Sequence, residues 1–378
     1  MKACFVIGPA RSGTTLMISL LDSHPELSVV PLEIKFYAQY FERLNANVSY
    51  AKLNDFMLNQ SKIRVIKEHS IRTLDPCNTG FVNFKNVDYQ IVEKEMQRNI
   101  MKYSNDFKLS MIDKYICDFH VAYNKALGLP KKKGFAVKEG NHGLPYINEI
   151  KRDFKNARFV VMVRDPRDMY SSLKSIARMI RAGGKYPSFG DEISVMEYLF
   201  SYRNQGKRCY DYMNYFNESN DDKCFLFVRY EDLVNNSRMV MKDVANFLGI
   251  NFDDILLKPT TAGNLWHGNA SNKKRFDCID NSRIIKWKEE LGKSEKLLIE
   301  YFLKNYMKQW NYDMIFPKAT LQLCLKYITI FDIVGNKGFV WKDFLRPFYR
   351  TIKYLVRFVY YSYQLFRKAL RLRYEQKT

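Results

Sequence analysis

The sequence is short of everything that would staple a small secreted domain or hold a metal. Its seven cysteines (Cys4, Cys77, Cys117, Cys209, Cys224, Cys278 and Cys324) are scattered, odd in number and contain no CxxC pair. They imply reduced thiols in a cytosolic setting rather than a disulfide framework or a zinc site. The five histidines are too dispersed for a metal motif. No apolar run reaches the length of a membrane span, and no charged-then-apolar leader precedes the first apolar run. Acid is scarce as well: 40 Asp and Glu stand against 61 Lys and Arg, a net charge of +21 over 378 residues. Such a field attracts polyanions, whether nucleic acid, an anionic membrane face, an acidic polysaccharide or a highly phosphorylated small molecule; a solvated basic surface explains it equally well. No RNA-reading aromatic motif stands out, so nucleic acid is not expected.

What is present begins at the N-terminus. Cys4-Phe5-Val6-Ile7 is an apolar run of strand length bounded by Gly8-Pro9, and Thr14 to Leu21 continues with helical spacing. Strand, glycine-bearing turn and helix in that order make an anion cradle. The first helical turn presents amides with no partner inside the helix, and the helix dipole adds positive potential there. The spacing Gly8-x-x-x-x-Gly13 matches the first half of a nucleotide-triphosphate P-loop. Thr14 stands where that motif needs its lysine, which argues against a kinase or ATPase.

Further along, Leu27 to Pro31 reads as a second strand. From about residue 41 to 130 the apolar spacing is mostly helical, broken at Asp75-Pro76, and is expected to be an insertion on the acceptor side. Gly134 to Lys138 and Ala157 to Val163 read as strands, with a helix over Leu144 to Phe154 between them. A mobile loop is expected at Gly183 to Pro187, a long helix over Val195 to Tyr215, a strand over Cys224 to Val228, and a helix over Met239 to Leu248 closed by Gly249. Strands alternating with helices predict an α/β domain, a three-layer sandwich around a mainly parallel sheet. Ligands of such sheets lie beyond the carboxyl ends of the strands. Arg11, Lys138 and Arg164 all fall at or just past such ends, so they are expected to converge. Residues 1–316 are expected to form one domain and 317–378 a tail. In that tail Arg357, Arg367, Lys368, Arg371 and Arg373 alternate with Leu355, Phe358, Val359, Leu365, Phe366 and Leu370, a basic amphipathic pattern suited either to an anionic membrane surface or to packing back on the domain.

Pro9-Ala10-Arg11-Ser12-Gly13-Thr14-Thr15-Leu16, continued by Leu21-Asp22-Ser23-His24-Pro25-Glu26, resembles the 5′-phosphosulfate loop of sulfotransferases that use 3′-phosphoadenosine 5′-phosphosulfate (PAPS). The likeness is to the branch of tyrosylprotein and bacterial carbohydrate sulfotransferases and spans about residues 3 to 312. It implies a P-loop-like fold and sulfonyl transfer from PAPS to a hydroxyl, most naturally of a carbohydrate or glycolipid, leaving 3′-phosphoadenosine 5′-phosphate (PAP) and requiring no metal. Arg11, Ser12, Gly13, Thr14 and Thr15 would hold the 5′-phosphosulfate. Arg164 and Ser172, eight positions apart, resemble the 3′-phosphate pair, and Tyr230 an adenosine-side contact. Glu33 matches the family's base after a one-residue insertion, with His142 and His24 as rivals. Lys138, 26 positions before Arg164, matches a catalytic lysine. Ser271 in Trp266-His267-Gly268-Asn269-Ala270-Ser271 matches a sulfate contact, and Lys274 and Arg275 would fold over the 3′-phosphate. Golgi members of the family carry an N-terminal anchor, so the absence of a leader implies a cytoplasmic enzyme, peripheral to the membrane if the tail binds it. A P-loop kinase and a basic polyanion-binding module are the competing expectations.

Overall fold

The computed structural model describes residues 2–44, 48–71, 83–103, 111–182, 195–200, 205–218, 223–266, 268, 279–282, 284–320 and 322–324. The chain splits into two compact units, Met1–Arg164 with Tyr215–Ile284, and Asp165–Asn214 with Ile285–Thr378.

The first unit is built on a five-stranded sheet in which every pairing is parallel: β1 (Lys2–Ile7), β2 (Leu27–Val29), β3 (Gly134–Gly140), β4 (Arg158–Val163) and β5 (Phe225–Arg229), in the spatial order β2-β3-β1-β4-β5. The near-continuous apolar runs of β1 and β4 suit strands covered on both faces. Phe5, Val6 and Ile7 are fully buried, as are Phe159, Val160, Met162 and Val163. The sheet departs in two directions from β1, toward β3 on one side and β4 on the other. A crevice beyond the carboxyl ends of the strands is expected at such a switch.

Pairing between β1 and β3 slips by one residue at that end. Val6 is opposite Lys138 but Ile7 is opposite Gly140. Glu139 is the extra residue, so the strand bulges where its charged side chains are presented. β3 therefore runs two residues past the expected Lys138.

Helix α1 (Thr14–Leu21) follows β1 with the expected bounds. The region expected to be helical contains α2 (Phe36–Arg43), α3 (Tyr50–Leu58), α4 (Ser61–Ile71), α5 (Tyr89–Lys102) and α6 (Ile112–Ala126). The Asp75-Pro76 break lies outside the described residues. In place of one helix over 144–154 there is a 3-10 turn, Leu144–Tyr146, and then α7 (Ile147–Asp153). Pro145, without an N–H, sits in that tight first turn. After β5 come α11 (Tyr230–Asn235) and α12 (Ser237–Leu248), the latter ended by Gly249 at φ 62°, then a small antiparallel hairpin of β6 (Thr260–Thr261) and β7 (Asn264–Leu265).

The second unit contains α8 (Pro166–Ala182), α9 (Val195–Phe200), most of α10 (Gln205–Glu218), and α13 (Trp287–Glu290), α14 (Lys293–Phe302) and α15 (Lys304–Gln309). The helix expected over 195–215 is thus two described segments, with 201–204 outside the described residues; so are the Gly183–Pro187 loop and the tail from 325 onward. At the centre of this unit lies Arg167, only 2% exposed. It takes Asp165 with Nε and Nη2 (3.0 and 2.7 Å) and Glu300 with Nη1 (2.6 Å), and its guanidinium lies 3.6 Å from the Trp287 ring centroid. Asp165 also accepts from the Arg167 backbone amide at 2.9 Å, capping α8, and the Asp168 carboxylate accepts the amides of Ile285 and Trp287.

Among the described residues, no helix is long and apolar enough to cross a membrane and no His, Cys, Asp and Glu group could hold a metal ion. Cys4, Cys117, Cys209, Cys224 and Cys324 are free thiols.

Candidate active site

The turn from β1 to α1 is tight because two glycines let other groups into the space a Cβ would fill. At Gly8, that position lies 2.5 Å from the Met162 carbonyl oxygen and 2.6 Å from Ser12 Oγ. At Gly13, which starts α1 at φ 103°, it lies 2.5 Å from the Tyr230 ring. Any other residue at either position would have to move its neighbour. Between them Arg11 holds φ 70°, a left-handed conformation that costs a non-glycine residue about 1–2 kcal/mol. Strain of this kind persists where the surroundings over-determine it and clusters at ligand clamps. Ser12 is fully buried, and its hydroxyl has no hydrogen-bond partner among the described residues. A bound oxyanion would supply one, and the α1 amides beside it are the donors such an anion needs. The cradle residues therefore fit a phosphosulfate.

Beside the cradle sits a carboxylate between two ammoniums. Glu33 Oε2 is 3.4 Å from Lys138 Nζ, and Glu33 Oε1 is 3.5 Å from Lys35 Nζ. Lys138 also donates to Thr15 Oγ1 at 2.6 Å, tying the group to the cradle helix. Lys35 donates to His142 Nε2 at 2.9 Å. Room for the Glu33 carboxyl exists because Gly140, at φ 57°, has no side chain: its Cβ position lies 2.9 Å from Glu33 Cδ. Burial is the largest influence on Glu33 and raises its pKa. Lys138, Lys35 and His142 together outweigh burial, and the carboxyl is held below the usual carboxylate range. Burial likewise lowers Lys138, with Glu33 opposing it and Arg11 reinforcing it. Next in the chain, Glu139 is completely buried, and Lys35 is the one cation whose charge bears appreciably on it among the described residues. Burial pushes it up to about 8, only partly countered by the Tyr37 and Phe36 amides at the start of α2.

The second arginine reaches the same place from the end of β4. Arg164 Nη1 donates to the carbonyl oxygen of Arg11 at 3.1 Å, and its guanidinium lies 4.1 Å from the Tyr230 ring centroid. Arg11, Arg164 and Lys138, far apart in sequence, thus meet where β1, β3 and β4 end.

The family model for sulfotransferases matches residues 4–254 of this chain, from β1 through α12 to the first residue of a 3-10 turn, Asp254–Leu257. The chain belongs to the sulfotransferase family. It is an enzyme of sulfonyl transfer. Among solved structures this sulfotransferase is similar to the sulfotransferase domain of the Synechococcus PCC 7002 olefin synthase, at 16% identity and TM-score 0.49, covering 83% of this chain and 96% of that one. It is also similar to the sulfotransferase domain from the curacin biosynthetic pathway, at 20% identity and TM-score 0.46 over 83% and 98% of the two chains. A third similar structure is retinol dehydratase in complex with retinol and PAP, at 16% identity and TM-score 0.35 over 84% of each. No curated protein matches the chain.

Of the residues singled out from this sulfotransferase's sequence, Arg11, Ser12, Gly13, Thr14, Thr15, Glu33, Lys138, Arg164 and Tyr230 share the first unit and cluster around the cradle. Ser172 lies in α8 of the second unit, partly buried. Ser271, Lys274 and Arg275 lie outside the described residues. His24 is spent elsewhere, its Nε2 bonded to the Asn251 carbonyl and its Nδ1 accepting from the Glu26 amide. Sequence reasoning missed Lys35, although a lysine two positions after the candidate base is visible in Glu33-Ile34-Lys35. It also missed Gly140, whose positive φ has no counterpart in sequence pattern.

Proposed function

We propose that this sulfotransferase moves the sulfonyl group of PAPS to a hydroxyl of a carbohydrate or glycolipid acceptor by in-line displacement. The observation that carries the donor assignment is the convergence of Arg11 and Arg164, one from each of two sheet-end turns, joined by the 3.1 Å bond to the Arg11 carbonyl. Two guanidiniums set apart in this way suit a donor with anions at both ends of an adenosine. Bound there, PAPS supplies the sulfonyl group and departs as PAP. The chain's own residues do the rest. Arg11, Ser12 and the α1 amides orient the phosphosulfate. Lys138, already bonded to Thr15 of the cradle, opposes the charge that builds on the departing oxygen. Glu33 takes the hydroxyl proton of the acceptor; its depressed pKa keeps it ionised and ready across the neutral range. The acceptor oxygen gains its bond to sulfur as the donor oxygen loses one, and the proton ends on Glu33.

The resemblance adds Ser172, Tyr230, Ser271, Lys274 and Arg275 to the donor side, but the proposal rests on Arg11 and Arg164. The acceptor class follows from the resemblance as well, and contact of the basic tail with an anionic membrane face is a further expectation. The test of the chemistry is Glu33→Gln. Loss of a positioned base costs about 10²–10⁴-fold in turnover, so transfer of labelled sulfate to a panel of carbohydrate and glycolipid hydroxyls should fall by that factor while PAP affinity is retained. Unchanged turnover would remove Glu33 from the base role.

A further inference from the structure

Tyr230 follows β5 directly and opens α11, and its ring is nearly buried. Two of its contacts bear on the cradle. One edge occupies the space left by the missing side chain of Gly13, the residue that caps the start of the cradle helix. The face carries the Arg164 guanidinium at 4.1 Å. Arg164 in turn donates to Arg11. The ring is therefore a spacer: it touches the 5′ cradle on one side and fixes the height and plane of the second arginine on the other. A guanidinium on a flexible stem has several rotamers, and stacking on an aromatic face selects one before a ligand arrives.

We propose that Tyr230 is a positioning residue, acting through Arg164, that sets the distance between the two anion grips and so selects an adenosine carrying a 3′-phosphate. This rests on the reading of Arg164 as the 3′-phosphate grip, and it gives Tyr230 a role other than direct contact with the nucleoside. The two roles differ in which ligand they affect. A ring that holds Arg164 matters for PAP and not for adenosine 5′-phosphate, which lacks the 3′ anion. A ring that holds the nucleoside matters for both.

The experiment is calorimetric titration of the full chain with PAP and with adenosine 5′-phosphate, for wild type, Tyr230→Phe, Tyr230→Met and the Tyr230→Met, Arg164→Ala double variant. Tyr230→Phe keeps the ring face and should bind PAP within about twofold of wild type. Tyr230→Met keeps bulk against Gly13 but removes the π face. It should lose about tenfold in PAP affinity, in line with the usual worth of a buried cation–π contact, and change little for adenosine 5′-phosphate. In the Arg164→Ala background the Met substitution should have no further effect on PAP. Equal losses for both ligands, an additive double variant, or a Phe variant as weak as the Met variant would each overturn the proposal. Should Tyr230→Met fail to fold, Tyr230→Leu takes its place, since it also removes the π face and should weaken PAP while changing little for adenosine 5′-phosphate. Wild type that binds no PAP would instead sink the donor reading itself, a result distinct from any of these.

Discussion

Arg164 and Arg167 stand three positions apart in one Arg-Asp-Pro-Arg-Asp run, yet their surroundings have little in common. Arg167, in the second unit, is closed off by two carboxylates and an indole face. Arg164, in the first unit, is stacked on a ring and bonded to the carbonyl oxygen of Arg11 in the cradle turn. An arginine answered by acid on every side is part of the scaffold. One stacked on a ring at the end of a sheet strand, bonded to the anion cradle, is placed where a ligand of that cradle would reach it. The same contrast separates two buried glutamates: Glu300 is paired with Arg167, whereas burial raises the Glu139 pKa to about 8, with the Lys35 charge only a minor opposing influence.

The largest effect that sharpens this comparison is on stability. Arg167→Ala leaves Asp165 and Glu300 buried without their cation, and breaking a buried pair from one side costs about 3–5 kcal/mol. Arg164→Ala removes a ring contact and the bond to the Arg11 carbonyl and should cost less, about 1–2 kcal/mol, in urea unfolding. Equal losses would erase the distinction between scaffold and grip. A smaller effect concerns Glu139. Burial raises its folded pKa to about 8, well above the ordinary glutamate range, so its contribution to stability is complete below that ordinary range and is lost as pH rises through about 8. Glu139→Gln should therefore flatten the fall in unfolding free energy between about pH 5 and about pH 8. A wild-type curve already flat over that range would mean that Glu139 ionises like an ordinary carboxylate.

The sheet was legible in sequence because buried parallel strands are written as short, unbroken apolar runs, and α1 because the glycine turn before it marks its start. The cradle, Arg164 and Lys138 were legible for the same reason: they follow or end those runs. Lys35, Gly140 and the ring of Tyr230 under Arg164 were not, because their roles depend on which atoms approach across long chain separations. The β3 bulge is similar. Nothing in Gly134 to Gly140 announces that Glu139 will be the unpaired residue, since the slip arises only when β1 is laid alongside. The structural role of Arg167 was hidden too, as its partners Trp287 and Glu300 come more than a hundred positions later.

The measurement that bears most directly on the account is PAP binding to wild type, Arg11→Ala and Arg164→Ala by titration calorimetry. Wild type should bind PAP in the absence of metal and in preference to ATP with Mg²⁺, and each arginine variant should lose at least about tenfold, the worth of one charge-assisted bond. Wild-type binding of ATP as tight as PAP, or full PAP affinity in either variant, would contradict a donor gripped at both ends.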